Sequence, residues 1–147
     1  MLPNHSFYTK MAKKETVKKS ASKKSSAKKS NSSLLAEAVV KGIQEKKGKN
    51  ITCLNLQTVR NAVCDYFIIC EGDSRTQVDA IADSVEEQVK KTMSEKPYHT
   101  EGYENSEWIL MDYFNVVVHI FQPETRRFYN LESLWADAEV QELASKN

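Results

Sequence analysis

Asp65-Tyr66-Phe67-Ile68-Ile69-Cys70-Glu71-Gly72-Asp73-Ser74 is the stretch whose reading decides the fold. The run from Asp65 to Cys70 is densely apolar and β-rich, without alternation. It reads as a central strand covered on both faces. Gly72-Asp73-Ser74 breaks it, and a helix with the apolar stripe Val78, Ile81, Ala82, Val85, Val89 and Met93 follows. Ser74 is placed to cap that helix, with Gln77 three residues on completing a capping box. A buried strand running through a capped turn into an amphipathic helix points to a sheet with helices packed against it.

Towards the N-terminus, Ile51-Thr52-Cys53-Leu54-Asn55-Leu56 alternates with period two, the pattern of a half-buried strand. Before it, Leu35, Val39, Gly42 and Ile43 share a helical face, with Ser33 as the expected N-cap and Gly48 ending the helix. Towards the C-terminus, a short strand is expected within 98–103, and a strand pair over 107–113 and 115–121. Phe114-Asn115 forms the bend between the pair. Pro123 ends the second strand, and from Leu131 a helical face reappears with Leu134, Trp135 and Ala138. The order is α-β-β-α-β-β-β-α, which implies an α/β (α+β) domain with a mixed sheet and about three packed helices.

The 147 residues suit one domain. The formal net charge of +1 conceals a division: residues 1–33 hold nine lysines against one glutamate, a net of +8, and the remainder nets −7. Lysine doublets recur every five residues from Lys13-Lys14 to Lys28-Lys29, separated by Ser and Ala. With little to bury and no structural period, residues 1–33 are expected to be a disordered arm, 34–143 the folded domain and 144–147 a frayed tail. Met11 is a possible alternative start. The acidic globule disfavours face-on binding of nucleic acid. Cys53, Cys64 and Cys70 lack the spacing of a zinc site or a disulfide framework, and read as buried reduced thiols. No apolar run is long enough to span a bilayer, and a cytoplasmic protein is expected.

Four constellations could carry function. Gly72-Asp73-Ser74, with Arg75, stands where a helix start could hold phosphate, but an ordinary capped turn explains it and no P-loop accompanies it. Asp65, Glu101, Asp112 and His119 are scattered acids and a lone histidine with no Asp-x-Asp; a structural reading outweighs a catalytic or metal one. Trp108, Tyr113 and Tyr129, with Tyr103 as a further candidate, either roof the core or form an interface, since Trp and Tyr bring large area with few rotors. On the 107–113 strand, the face with Trp108 and Asp112 is expected to be the less buried. The lysine arm is either a solubility tail or a salt-sensitive tether to RNA phosphates.

The strings taken in order add a resemblance. Asp65 through Ser74, Gln77-Val78-Asp79-Ala80-Ile81-Ala82-Asp83, Glu101-Gly102, Trp108-Ile109-Leu110-Met111-Asp112-Tyr113, Val118-His119-Ile120-Phe121 and Arg127 through Trp135 together resemble the ribosomal silencing factor (Iojap) family over about residues 34–137. The resemblance implies a mixed five-stranded sheet of nucleotidyltransferase-like shape, no catalytic residues, no metal and no cofactor. It implies docking on the large ribosomal subunit, through its ribosomal protein number fourteen, by Trp108, Tyr113, Tyr129, Leu131 and Leu134. Steric block of small-subunit joining would then repress translation. The alternatives are a large-subunit assembly factor using the same face, or a nucleotidyltransferase-like enzyme. Exposed aromatics on such a face would also favour a weak homodimer when free. Two departures stand out: Phe114 occupies a position where the family usually has Gly, and the lysine arm, with its possible rRNA contact, is not a family feature.

Overall fold

The computed structural model describes residues 30–135 and 138–144. The lysine doublets and the last three residues lie outside them. Helix α1 (Asn31–Glu45) starts three residues earlier than the sequence suggests, because Ser30 rather than Ser33 is the N-cap: its Oγ accepts from the Ser33 amide at 3.2 Å. Strands β1 (Lys49–Asn55) and β2 (Tyr66–Glu71) follow, then helix α2 (Arg75–Met93), β3 (His99–Glu101), β4 (Trp108–Asp112) and β5 (Val116–Phe121).

The C-terminal part departs from expectation. One helix from Leu131 was expected; instead helix α3 (Pro123–Tyr129) comes first, then a 3-10 turn (Leu131–Trp135) and a sixth strand, β6 (Glu139–Leu143). Pro123 does end β5, yet it also opens α3 at the first helical turn, where a missing N–H costs nothing. Strand β6 is a short, acid-rich edge strand, exposed along most of its length, so no period-two apolar signal marks it.

The sheet therefore has six strands rather than five, in the order β3-β4-β5-β2-β1-β6. Only β2 and β5 run parallel; all other pairs are antiparallel. The class is the mixed α+β arrangement read from the sequence. Both faces of the central strands are covered, as the dense apolar run of β2 required.

Helices α1 and α2 cover one face, burying Val39, Ile43, Ile81, Val85, Ile68 and Ile120 among others. They run antiparallel and close together at Gly42, where an added Cβ would lie 2.7 Å from the Val85 Cα. The α2 start is tied to the α1 end through Gln77. Its amide donates to Ser74 Oγ at 3.1 Å, its Oε1 accepts from the Asp73 amide at 2.7 Å, and its Nε2 donates to the Lys46 and Lys47 carbonyls. The capping box forms, shifted one residue outward to Asp73.

The other face is covered thinly, by the 56–65 loop and the α3/3-10 segment, over Leu54, Phe67, Trp108, Leu110 and Phe121. The bend after β4 is tight. Phe114 has φ +79°, the left-handed region that favours glycine, and its amide donates to Asp112 Oδ1 at 2.7 Å.

Candidate docking surface

Of the large apolar side chains exposed among the described residues, Phe128 and Leu134 lie together on the thin layer, whereas Leu34, Tyr98, Tyr103 and Val140 lie elsewhere. The scaffold of the thin layer is Arg126, an almost buried guanidinium in the middle of α3. Nη1 donates to the Asn50 carbonyl at 2.6 Å and to Glu71 Oε2 at 3.1 Å. Nη2 donates to Thr52 Oγ1 at 3.0 Å and to Glu132 Oε2 at 2.6 Å, and Nε donates to the same Glu132 oxygen at 3.1 Å. One side chain thus joins α3 to β1, β2 and the 3-10 turn, using the planar fork that only arginine supplies. The ion pairs lie in partial shelter from water, which strengthens them relative to surface pairs.

Beneath α3 lies an aromatic floor. Trp108 stacks on Phe121 with ring centroids 4.9 Å apart and meets Tyr129 at 4.6 Å. Its indole N–H donates to His119 Nδ1 at 2.9 Å. Nδ1 must therefore be the bare nitrogen and Nε2 the protonated one. Burial lowers the His119 pKa to about 3, so the ring is neutral. Its Nε2 is buried with no hydrogen-bond partner among the described residues.

Above the floor, Phe128 is 79 % exposed and sits edge-on to Tyr129 at 5.0 Å, while Leu134 on the next turn is 48 % exposed. Tyr129 is half-buried between the two levels. The Asn130 residue between them takes the left-handed conformation that ends α3 and turns the chain into the 3-10 segment.

The five side chains singled out in the sequence do not share one surface. Trp108, Tyr129 and Leu131 come together, and Leu134 lies beyond them on the same segment. Tyr113 is on the opposite face of the sheet, packed with the core under α1 and α2. Trp108, Leu131 and Tyr113 are buried, at 1 %, 0 % and 5 % exposure. The expectation that the Trp108 face of the strand would be the less buried is therefore corrected: α3 and the 56–65 loop cover it. Only Tyr129 and Leu134 reach solvent. Phe128 and Arg126 were not singled out, and the signal that finds them is Pro123 read as a helix start, which makes 123–129 an element with an inside and an outside.

The other constellations resolve structurally. Asp73 pairs with Lys49 at 2.8 Å, and the Asp73 and Gln77 amides and the Ser74 hydroxyl are engaged in the cap of α2, as an ordinary capped turn requires. His119 lies opposite Leu110, not Asp112, and the two polar groups take separate partners. No cluster of three or more potential metal ligands occurs among the described residues. The three cysteines are buried thiols outside any disulfide, Cys64 donating to the Tyr66 carbonyl at 3.2 Å, and burial raises the Cys53 thiol to about 11. No described helix is long and apolar enough to cross a membrane.

Fold and surface define a class: a mixed-sheet α+β domain that carries, among its exposed features, an apolar ridge held by a buried arginine. The family model described as "Ribosomal silencing factor during starvation" matches residues 27–147. A ribosomal silencing factor of Halalkalibacterium halodurans is 39 % identical over 112 residues, covering 74 % of this chain and 92 % of that protein. The chloroplastic protein Iojap of Zea mays is 37 % identical over 110 residues, 74 % of this chain and 46 % of that one. A crystal structure of a Chromobacterium violaceum protein superimposes with a TM-score of 0.66 at 29 % identity, covering 76 % of this chain and 92 % of its own. The chain belongs to the ribosomal silencing factor family.

Proposed function

We propose that this protein docks on the large ribosomal subunit through the ridge of Phe128, Tyr129 and Leu134 and sterically blocks joining of the small subunit. The observation that carries the reading is that ridge: two large apolar side chains held outward by the buried Arg126 hub, within the segment that resembles the family's closing motif. Tyr129 and Leu134 are contact residues; Trp108 and Leu131 support them from below. Tyr113 has no place on this face.

The partner we infer is ribosomal protein number fourteen of the large subunit. Repression then needs no covalent chemistry and no cofactor, only binding that competes with subunit association, and its place of action is the cytoplasm. The lysine arm would add salt-sensitive contact to rRNA phosphates. In the free protein the same ridge would support a weak homodimer.

The test is subunit joining followed by light scattering, with co-sedimentation on large subunits, for the wild type and for Phe128→Ala/Leu134→Ala. Truncating true anchors costs ~2–4 kcal/mol, so the double variant should bind at least ~30-fold more weakly and permit joining. Unchanged co-sedimentation would overturn the assignment of the face. Tight binding without any effect on joining would point instead to an assembly role for the same surface.

A further inference from the structure

The helical layer stops short of the sheet's margin. Helices α1 and α2 lie over β2, β5 and β4, while β6 extends beyond them, and no described helix lies over it on that face. Where a third helix would sit there is a groove of about 570 Å³ between α1 and the β1/β6 side of the sheet, a size that takes several large side chains. Its apolar lining is Ala36 and Val40 from α1, with Cys53, Tyr66 and Leu143 from the strands. Strand register puts β6 in line with it, because Leu143 and Gln141 stand opposite Ile51 and Cys53 of the helix-covered core. Among the described residues four apolar side chains pack half-buried against that core, and three of them, Val40, Tyr66 and Leu143, belong to this groove.

One end of the groove is closed. Gln44 Nε2 donates to the Ala144 carbonyl at 2.9 Å and ties the end of α1 to the end of β6. Ser33 lines the groove in the first turn of α1, next to Ser30, where residues 1–29 join the described chain. Glu37 and Glu45 stand on the rim, with Lys41 the only lysine or arginine among the described lining residues.

We propose that in the free protein residues 6–14 of the same chain dock in this groove as a short helix and complete the layer. Three observations select that occupant. The first is composition. Within 15–29, Val17 is the only apolar side chain larger than alanine, whereas Ser6-Phe7-Tyr8-Thr9-Lys10-Met11-Ala12-Lys13-Lys14 holds three large ones. At helical spacing Phe7, Tyr8, Met11 and Ala12 share one face, Lys10, Lys13 and Lys14 take the rest of the circumference, and Ser6 stands in the N-cap position. The second is size. Nine helical residues span ~14 Å, against ~16 Å of α1 from Ser33 to Gln44. The third is the tether. Residues 15–29 reach ~20 Å as a coil and ~50 Å when extended, so the segment can enter the groove in either direction. Such a segment is too short to hold a helix alone. Burying its apolar face supplies the drive, and the tether supplies an effective concentration in the millimolar range. Its lysines then meet a rim that carries two carboxylates against one ammonium. Docking would hold 15–29 at both ends and present the doublets from Lys18-Lys19 to Lys28-Lys29 as a closed loop beside the start of α1. The groove and the ridge are on opposite faces of the sheet, so this inference stands independently of the ribosome reading.

The test is NMR on the isotopically labelled full chain, wild type and Phe7→Ser/Met11→Ser, at low and high micromolar concentration. Amides of Lys10 to Lys14 should exchange at least about tenfold more slowly than in an unstructured peptide, and the variant should lose that protection while its folded domain melts as wild type. Amides of Val40, Cys53, Tyr66, Gln141 and Leu143 should shift between the two chains, and those of Phe128 and Leu134 should not. Exchange at the unstructured rate, or groove resonances that stay in place, would overturn the proposal. Shifts centred on the ridge would overturn it by placing the segment on the other face. Protection that grows with concentration would overturn it by assigning the groove to a second copy.

Discussion

Truncating Trp108 to alanine should unfold this protein long before it informs on docking. The indole is 1 % exposed and is wedged among Phe121, Tyr129 and His119. Removing a large aromatic from such a site costs ~3–5 kcal/mol in lost burial and cavity. The substitution also strips the donor from His119 Nδ1, leaving a buried acceptor unpaired at a further ~1–3 kcal/mol. Against a typical stability of ~5–15 kcal/mol, a loss near 5 kcal/mol consumes a third or more of the total. At ~4–8 °C per kcal/mol for a domain of this size, the melting temperature should drop by roughly 20 °C or more. Trp108→Phe separates the two contributions, since it retains most ring area but not the N–H. The assay is thermal and urea denaturation of the free protein, read by circular dichroism. A Trp108→Ala variant that melts within a few degrees of wild type would refute the argument that Trp108 is a core side chain, and would restore it as an exposed contact.

His119 should make stability fall in acid. Its folded pKa is depressed to about 3 from an ordinary 6.5, so the unfolded chain binds the extra proton between those values. The contribution is complete above pH 6.5 and is lost as pH falls towards 3, at up to ~1.4 kcal/mol per pH unit. Urea midpoints measured from pH 7 to 4 for wild type and His119→Asn should show the variant's profile flattened; parallel profiles would exclude His119 as the source. Arg126→Lys should lose ~3 kcal/mol or more, because an ammonium cannot serve Glu71, Glu132, Thr52 and the Asn50 carbonyl together. Hydrogen exchange of 123–135 would then rise ahead of the rest of the domain, whereas uniform exchange would disprove the hub. Phe114→Gly should gain ~1 kcal/mol by removing a side chain from the left-handed region, reduced by the lost contact with Tyr98. A lower melting temperature would mean that the ring contact outweighs the backbone strain.

Legibility in the sequence divides along the two faces of the sheet. The helix-covered face was readable because its signals are local and redundant: Ser74 and Gln77 cap α2, the 3.6-residue stripe from Val78 to Val89 is unbroken, and the β2 run admits only a central position. The thin face was not. Trp108 alternates with Ile109 along β4, and nothing within the strand says which side will be roofed; the roof is α3, whose start looked like a stop because Pro123 serves both purposes. Arg126 reads as one of two surface arginines, and its burial depends on Glu71 and Thr52, more than fifty residues away in the chain. Order along the chain identified the family, but not which of its aromatics face outward.

Strand β6 also bears on aggregation. Without it, β1 would form the rim of the sheet and offer the unpaired amides and carbonyls of Lys49–Asn55 to any neighbouring chain. By pairing with β1, β6 moves that rim onto Glu139-Val140-Gln141-Glu142-Leu143, a sequence with two carboxylates in five residues. Like charges then meet whenever two copies approach edge to edge, so growth of the sheet from this side is self-limiting. Cleavage before Glu139 would remove that protection while sparing the ridge, and would leave a domain able to bind yet prone to precipitate at concentrations the whole chain tolerates.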